Sequence, residues 1–524
     1  MELSVIGRGI FEEEIVSGSR REERAVKALG DMFKEVADWV KTFDTPVVSW
    51  VEEECLIEAN ERVFKCSILP PGVDFEVEGR MVTNIRQALL VEEPVLLLGV
   101  RGWGLILNRV LQRVSDGRLK AVIIYDPLSD SYKREVVSGS SGLSLHTGSP
   151  FPIPVVSVRK SDVRDLLQTA SGCRIRIYGR ARLVRDAVGR TLVAGVNGRG
   201  ELEVHASAHH DHWFNGVYDD LIGLEALLGL ARRLRGAGNT ANVTIISFTA
   251  REFGSPILPS WYWSWGSRFF TETLESKGHI DKVVANITID NLTGSTLRAS
   301  YHPFLFKCVK EVKGAGVVDE GLRFLPYLDS YSYLHRGVPS VALHNQPEHL
   351  MRGHLDHQEG SHFENTVVNL VDVSMRLVSC LSKLEDYDLE PVSNMLTSYA
   401  ESEARYLAGK IMLMLNSVKG FRRRASVLQE FSPTIISYQP KLEINYGLLE
   451  DLNTILKAIE AIERNNYGGF LVEDLDDGPL IDVYVDEYTR DTVARVLREV
   501  FKHRVRLHLA KSNKVVARIL GVEV

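Results

Sequence analysis

Acids and histidines in this chain gather at the ends of apolar runs, where side chains could hold metal ions. His209-His210-Asp211 follows the alternating run Leu202 to Ala208. Asp219 and Asp220 come just before a helical pattern, Glu252 follows the apolar run Val243 to Phe248, and Asp290 ends the run Val283 to Ile289. Two divalent cations a few Å apart need about five ligands, one of them a bridging carboxylate. Zinc accepts both imidazole nitrogen and carboxylate oxygen. On that chemistry His209 is a first ligand, and Asp219 reaches back over the strand ends as the bridge. Glu252 and Asp290 complete the acids, while Asp211 is placed to hold a ring nitrogen of His209 and so set its tautomer. A further histidine must come from a late loop, where His354, His357 and His362 are available. Taken singly, a strand-end histidine is usually a satisfied core or surface residue, and an Asp-Asp pair usually caps a helix. The conjunction of all of them near strand ends is what points to metal.

The elements that must position these groups follow from hydrophobic period. Glu22 to Val40 has apolar residues at helical spacing, and β-rich sequence follows around Val47 to Val51 and Phe64 to Ile68. PVLLLGV, AVIIYD and PVVSV are short buried strands, with helices predicted at Leu105 to Val114 and Lys160 to Thr169. Strands are predicted at Thr191 to Val196 and Leu202 to Ala208, a helix at Leu221 to Leu234, and a strand at Pro339 to Leu343 before a closing helix, Val367 to Leu384. Val243 to Phe248 and Val283 to Ile289 are apolar, β-branched and uncharged, as suits central strands covered on both faces. The fold class is therefore α/β, a mixed and mostly parallel central sheet flanked by helices, with an inserted α/β domain and a C-terminal α+β domain. The expected division is 1–73 with 179–384 for the main domain, 74–178 for the insert, 385–433 for a helical connector and 434–524 for the last domain.

Composition narrows the function. A chain of 524 residues exceeds one core. A net charge of −7 gives no electrostatic reason to expect nucleic acid or an anionic membrane as partner. Five scattered cysteines without metal spacing predict buried thiols in a reducing compartment rather than disulfides. The first residues lack a basic segment followed by an apolar one, and no apolar run approaches ~18 residues, so a cytoplasmic location without membrane spans is expected.

The motif order resembles the M28 family of co-catalytic zinc aminopeptidases. The family pattern runs H-x-D, G-x-x-D-[DN]-x-x-G, E-E, D and a late H. Here it reads His209-His210-Asp211, Gly216 to Gly223, Arg251-Glu252, Asp290 and a late histidine. Trp213, Phe253-Gly254 and the stretch Asp329 to Val341 extend the likeness, which covers Glu22 to Leu384. The insert resembles a protease-associated domain. The resemblance implies two zinc ions per chain, with cobalt or manganese as substitutes. One goes to His209, Asp219 and Asp290, the other to Asp219, Glu252 and a histidine. His362 is favoured for the last because Ser361 to Thr366 is similar to the family's final ligand motif, with one residue missing; His354 and His357 stay open.

The catalytic positions the resemblance implies are Asp211 and Arg251, and the second is a departure. The family has a glutamate there, the general base for the attacking water. An arginine stays protonated and cannot be that base. General-base help contributes ~10²–10⁴-fold. Asp220, Asp356, Glu359 and Glu364 are plausible stand-ins, and Arg251 is also suited to a substrate carboxylate or oxyanion. The aromatic cluster Trp261 to Trp265 suits either a pocket wall or plain packing. Two functions follow. One is an aminopeptidase acting on peptides, which could form a homo-oligomer. The other is a catalytically impaired scaffold that keeps metal and binds a peptide or partner protein.

Overall fold

The structure is a computed structural model. It describes residues 4–384, apart from 7–8, 89, 101–118, 138–150, 152, 171–172, 239–240, 257–262, 295, 313–315, 322–327, 346–348, 350–353 and 357–362. Beyond residue 384 it describes four short strand segments and residues 495 and 498. The helices predicted at Leu105 to Val114 and in the connector lie outside the described residues.

Helix α1 (Arg20–Val36) starts where the Ser19 side chain accepts the Glu22 amide, a normal N-cap. It stops short of Val40 because the next strand, β1 (Trp39–Ala59), is claimed by cross-strand pairing. β1 pairs antiparallel with β8 (Arg174–Val196) along nearly its whole length, with bulges between Val47 and Ser49 and between Glu52 and Glu54. The sequence predicts only short pieces of this ribbon, Val47 to Val51 in the middle of β1 and Thr191 to Val196 at the end of β8. The middle of β8 is charged and largely exposed, so hydrophobic period does not mark it.

Next come β2 (Arg62–Lys65), β3 (Ser67–Ile68), β4 (Phe75–Val82), α2 (Ile85–Ala88), β5 (Pro94–Gly99), β6 (Ala121–Tyr125), β7 (Val155–Ser157) and α3 (Lys160–Ala170). After β8 follow β9 (Glu203–His209), α4 (Ile222–Leu234), β10 (Asn242–Phe248), α5 (Trp265–Ser276), β11 (Val283–Ile289), β12 (Arg298–Tyr301), α6 (Phe306–Val312), β13 (Val318–Gly321), α7 (Asp329–His335), β14 (Ser340–His344) and α8 (Phe363–Leu381). The sheet runs β13-β12-β14-β11-β9-β10-β8-β4-β5-β6-β7-β3. Its centre, β14-β11-β9-β10, is parallel. β8 and β12 flank that centre antiparallel. The inserted strands β4, β5, β6 and β7 are parallel to one another, and β4 joins them to β8, so one sheet continues through both regions. Residue 178, the expected edge of the insert, lies within β8.

Both faces of the parallel centre are covered. On one, α1, α4 and α8 bury Leu29, Phe33, Leu224, Leu227, Leu370 and Leu377 with the sheet's apolar residues. Truncating one such leucine to alanine costs ~2–5 kcal/mol. On the other, Phe270 of α5 and Tyr333 of α7 join Phe248 of β10 in a second apolar cluster. Parallel strands end together, so the segments after β9, β10, β11 and β14 emerge at one edge. In open α/β sheets that edge is where ligands bind.

Two expectations change. Cys55–Cys66 and Cys308–Cys380 are disulfides, and Cys173 is the free cysteine. The expectation of reduced thiols is therefore corrected, and with it goes that argument for a cytoplasmic location. Pairing depends on Cα positions 72 residues apart in the second case, which spacing does not disclose. The described part of the aromatic cluster is packing. Trp263 is buried in a core with Phe253, and the Trp265 indole donates to the Pro46 carbonyl. No helix among the described residues is long and apolar enough to cross a membrane.

Candidate metal centre

His209 is the last residue of β9 and is wholly buried. Its Nδ1–H donates to the backbone carbonyl of Asp211 at 2.8 Å, which leaves Nε2 facing Asp219 Oδ1 at 2.9 Å and Asp290 Oδ1 at 3.4 Å. The ring is thus held by the carbonyl of Asp211, with the carboxylate 3.8 Å away. That carboxylate accepts the amides of Arg251 and Glu252, both at 3.0 Å, and so ties the loop after β10 to the loop after β9. His210 turns into a buried network with Ser247 and Glu22.

Asp219 sits in the turn Val217–Leu221 between Gly216 and α4. Gly216 has φ +55°, and a Cβ there would meet the His212 ring at 2.1 Å. A Cβ on Gly223 would lie 2.4 Å from the Asp220 carboxylate, which accepts the amides of His209 and Gly223. Asp220 therefore braces the start of α4. The two glycines of the motif are steric requirements of these side chains.

The other oxygen of Asp219 meets the late loop. His354 Nε2 is 3.0 Å from Oδ2 and His349 Nε2 is 3.4 Å from it. Glu252 Oε2 lies 3.3 Å from His354 Nε2. Each histidine is held from behind. Thr293 Oγ1 is 3.1 Å from His349 Nδ1, and Glu135 Oε2 is 3.3 Å from His354 Nδ1. Three imidazoles thus present Nε2 to one carboxylate, with a polar group hydrogen-bonded to the outer nitrogen of His209 and of His349 and the Glu135 carboxylate beside that of His354, the arrangement of metal-ligating histidines. His209, Asp219 and Asp290 form one group of donors within reach of a shared ion; Asp219, His349 and His354 form another. The set fits a divalent cation in kind, being imidazole nitrogens and carboxylate oxygens. It also fits in what it leaves unsatisfied: buried Glu252 Oε2 has no hydrogen-bond partner among the described residues.

Arg251 is 2% exposed and points into this cluster. Its Nε and one Nη donate to the two oxygens of Asp290 at 3.0 and 3.1 Å. The remaining contacts are Asn291 Oδ1 at 3.1 Å and Glu252 Oε1 at 2.7 Å. Burial opposes its charge, yet Asp290 and Glu252 hold its pKa well above the ordinary arginine value. Burial likewise opposes charge on Asp219, but Arg251 and His349 keep that carboxyl well below the usual range. Against burial, Asp290 and Asp219 hold His209 well above an ordinary imidazole, and Glu252 and Glu135 do the same for His354. Burial brings His349 down to about 4 despite Asp219.

Of the late histidines, the structure brings His354 to the centre, while His357 and His362 lie outside the described residues. Among the stand-in acids, Asp356 is paired with Arg159 and accepts the Tyr132 amide, Glu364 is solvent-exposed, and Glu359 lies outside the described residues. Sequence reasoning missed His349 and Glu135. His349 stood among five loop histidines without a pattern, and Glu135 arrives from the insert through a contact 219 residues long. Asp329 was also missed: it is buried at the start of α7 with neither oxygen hydrogen-bonded among the described residues.

Residues 191–305 match the family profile described as peptidase family M28. The fold is like that of a peptidase M28 precursor from Shewanella amazonensis, with 13% identity over 72% of this chain and 91% of that one, at a TM-score of 0.56. It is also like that of BSAP, a zinc aminopeptidase from Bacillus subtilis, with 15% identity over 71% of this chain and 91% of that one, at 0.52. No curated protein matches the sequence. The segment that supplies His209, Asp211, Asp219, Arg251, Glu252 and Asp290 thus matches the peptidase family M28 profile, and the fold is like that of a peptidase M28 precursor.

Proposed function

We propose that this chain is a metal-dependent aminopeptidase, removing N-terminal residues from peptides. The observation that carries the proposal is Asp219, whose two oxygens face separate groups of buried donors. The family match over 191–305 supports a peptidase, and the zinc of the Bacillus subtilis neighbour supports zinc as the ion, with cobalt or manganese as substitutes. On the family pattern, an ion would be held on each side of Asp219. His209 and Asp290 serve one side; Glu252 and His354, the late histidine at hand, serve the other. When bound, a divalent cation here polarises the scissile carbonyl and acidifies water. The chain supplies the rest. Asp211, Thr293 and Glu135 orient the histidines, and Asp220 holds the Asp219 turn. Arg251 cannot take a proton. Glu252 Oε2, turned to His354 and clear of the guanidinium, is the carboxylate oxygen that can bind the cation or accept the water's proton.

The test is hydrolysis of a mixed short-peptide pool by the zinc- or cobalt-loaded full chain, with Asp219→Ala as blank. Release of N-terminal residues that vanishes in the blank is expected. No release from protein that holds metal favours the second reading, a catalytically impaired scaffold that binds peptide or partner. Arg251, engaged with Asp290 and Glu252, is the observation for that reading. Arg251→Glu separates the two causes. A gain of ~10²-fold or more in kcat/KM means that the arginine alone holds hydrolysis down in an otherwise competent site. No gain in an active protein means that the base lies elsewhere.

A further inference from the structure

The two sides of Asp219 are not equal. On the His209 side both oxygens of Asp290 accept from the Arg251 guanidinium, and Oδ1, the oxygen nearer to His209 Nε2, is one of them. The guanidinium then spans to Glu252 Oε1, touching one carboxylate from each expected metal position. It is planar, permanently charged and buried, and it fills the place where a cation would lie between these acids. On the other side, Asp219 Oδ2, His349 Nε2 and His354 Nε2 converge without a contact from Arg251, and Glu252 Oε2 faces them. Two imidazoles and a carboxylate with a fourth donor nearby are a sufficient set for one zinc ion.

We infer that the centre holds a single divalent cation, on Asp219, His349 and His354, and that the Arg251 guanidinium stands in for the second on the His209–Asp290 side. The inference rests on the metal-dependent reading above and changes its stoichiometry. It also gives His349 a task, as the ligand that makes one side complete when the other is taken by arginine.

Counting ions tests this. Full-length chain stripped with chelator is reloaded with excess zinc, freed of loose metal by gel filtration, and weighed by native mass spectrometry. One zinc per chain is expected for the wild type, and two for Arg251→Glu. Asp290→Asn should still carry one. His349→Ala should lose retained zinc while keeping the wild-type circular dichroism spectrum; if His349→Ala does not fold, His349→Gln is read in its place. Two tightly held ions in the wild type, or loss of the ion in folded Asp290→Asn, would overturn the single-ion inference and leave a metal-dependent peptidase standing. A wild type that retains no zinc, cobalt or manganese would overturn both.

Discussion

Arg251 sets the electrostatic character of the centre. A divalent ion about 5 Å from a buried guanidinium meets a repulsion on the order of 7 kcal/mol at an effective dielectric near 20. Asp219 lowers that cost on the His349 side, while on the other side the guanidinium holds both oxygens of Asp290 in a bidentate pair. Asp329 is a second residue whose state follows from its surroundings. Burial raises its carboxyl to about 7, with Asp290 adding to the rise and His209 and Arg251 opposing it. Arg268 and Tyr333 also feel its charge. Because the folded pKa lies above the unfolded 3.8, the contribution is fully present below pH 3.8 and is lost as pH rises through 7. The full swing is on the order of 4 kcal/mol. In chelator-stripped protein, Asp329→Asn should therefore raise the melting temperature at pH 8 and change it little at pH 4. An equal shift at both pH values would show that Asp329 is not held protonated.

At the scale of elements, the insert is part of the centre. Lys133 bridges to Leu355, and the Arg134 amide donates to the His354 carbonyl. Arg134 itself is buried between Glu14 and Glu52 and lies over the Trp50, Trp213 and Phe214 rings. This docking delivers Glu135, 2% exposed, to the outer nitrogen of His354. Losing such a partner typically costs 10–100-fold in metal affinity. Glu135→Gln should weaken zinc binding by about that factor in competition titrations with a chromophoric chelator, with an unchanged circular dichroism spectrum. Unchanged affinity would reduce Glu135 to a packing role. The helices and short strands around the centre are legible in sequence because their apolar period is local. The β1–β8 ribbon is not, since its length comes from each strand satisfying the other's backbone.

For the whole molecule, Cys308–Cys380 closes a 72-residue separation, tying α6 to the closing helix α8 over the main core. A cross-link of this kind is worth about 2–4 kcal/mol. Thiol titration of the denatured chain should find one thiol before reduction and five after it. Reduction should also lower the melting temperature, as should the double variant Cys308→Ser with Cys380→Ser. Five thiols without reductant would contradict the pairing. The likeness to the Shewanella amazonensis fold covers 72% of the chain, and the strands described beyond residue 384 form two antiparallel pairs.

The sequence by itself determined the mostly parallel α/β centre and put forward His209, Asp219, Glu252 and Asp290 as donors at its strand ends. It could do so because β-branched runs mark buried strands, and parallel strands put whatever follows them at one edge. It also exposed Arg251 as a departure, since residue type is read directly. Only the tertiary structure decided what Arg251 touches, that His349 and His354 face Asp219, that Glu135 reaches across from the insert, and which cysteines pair. Those contacts join loops distant in the chain, where no period or spacing encodes the partner. They follow from how the sheet and its insert close on one another.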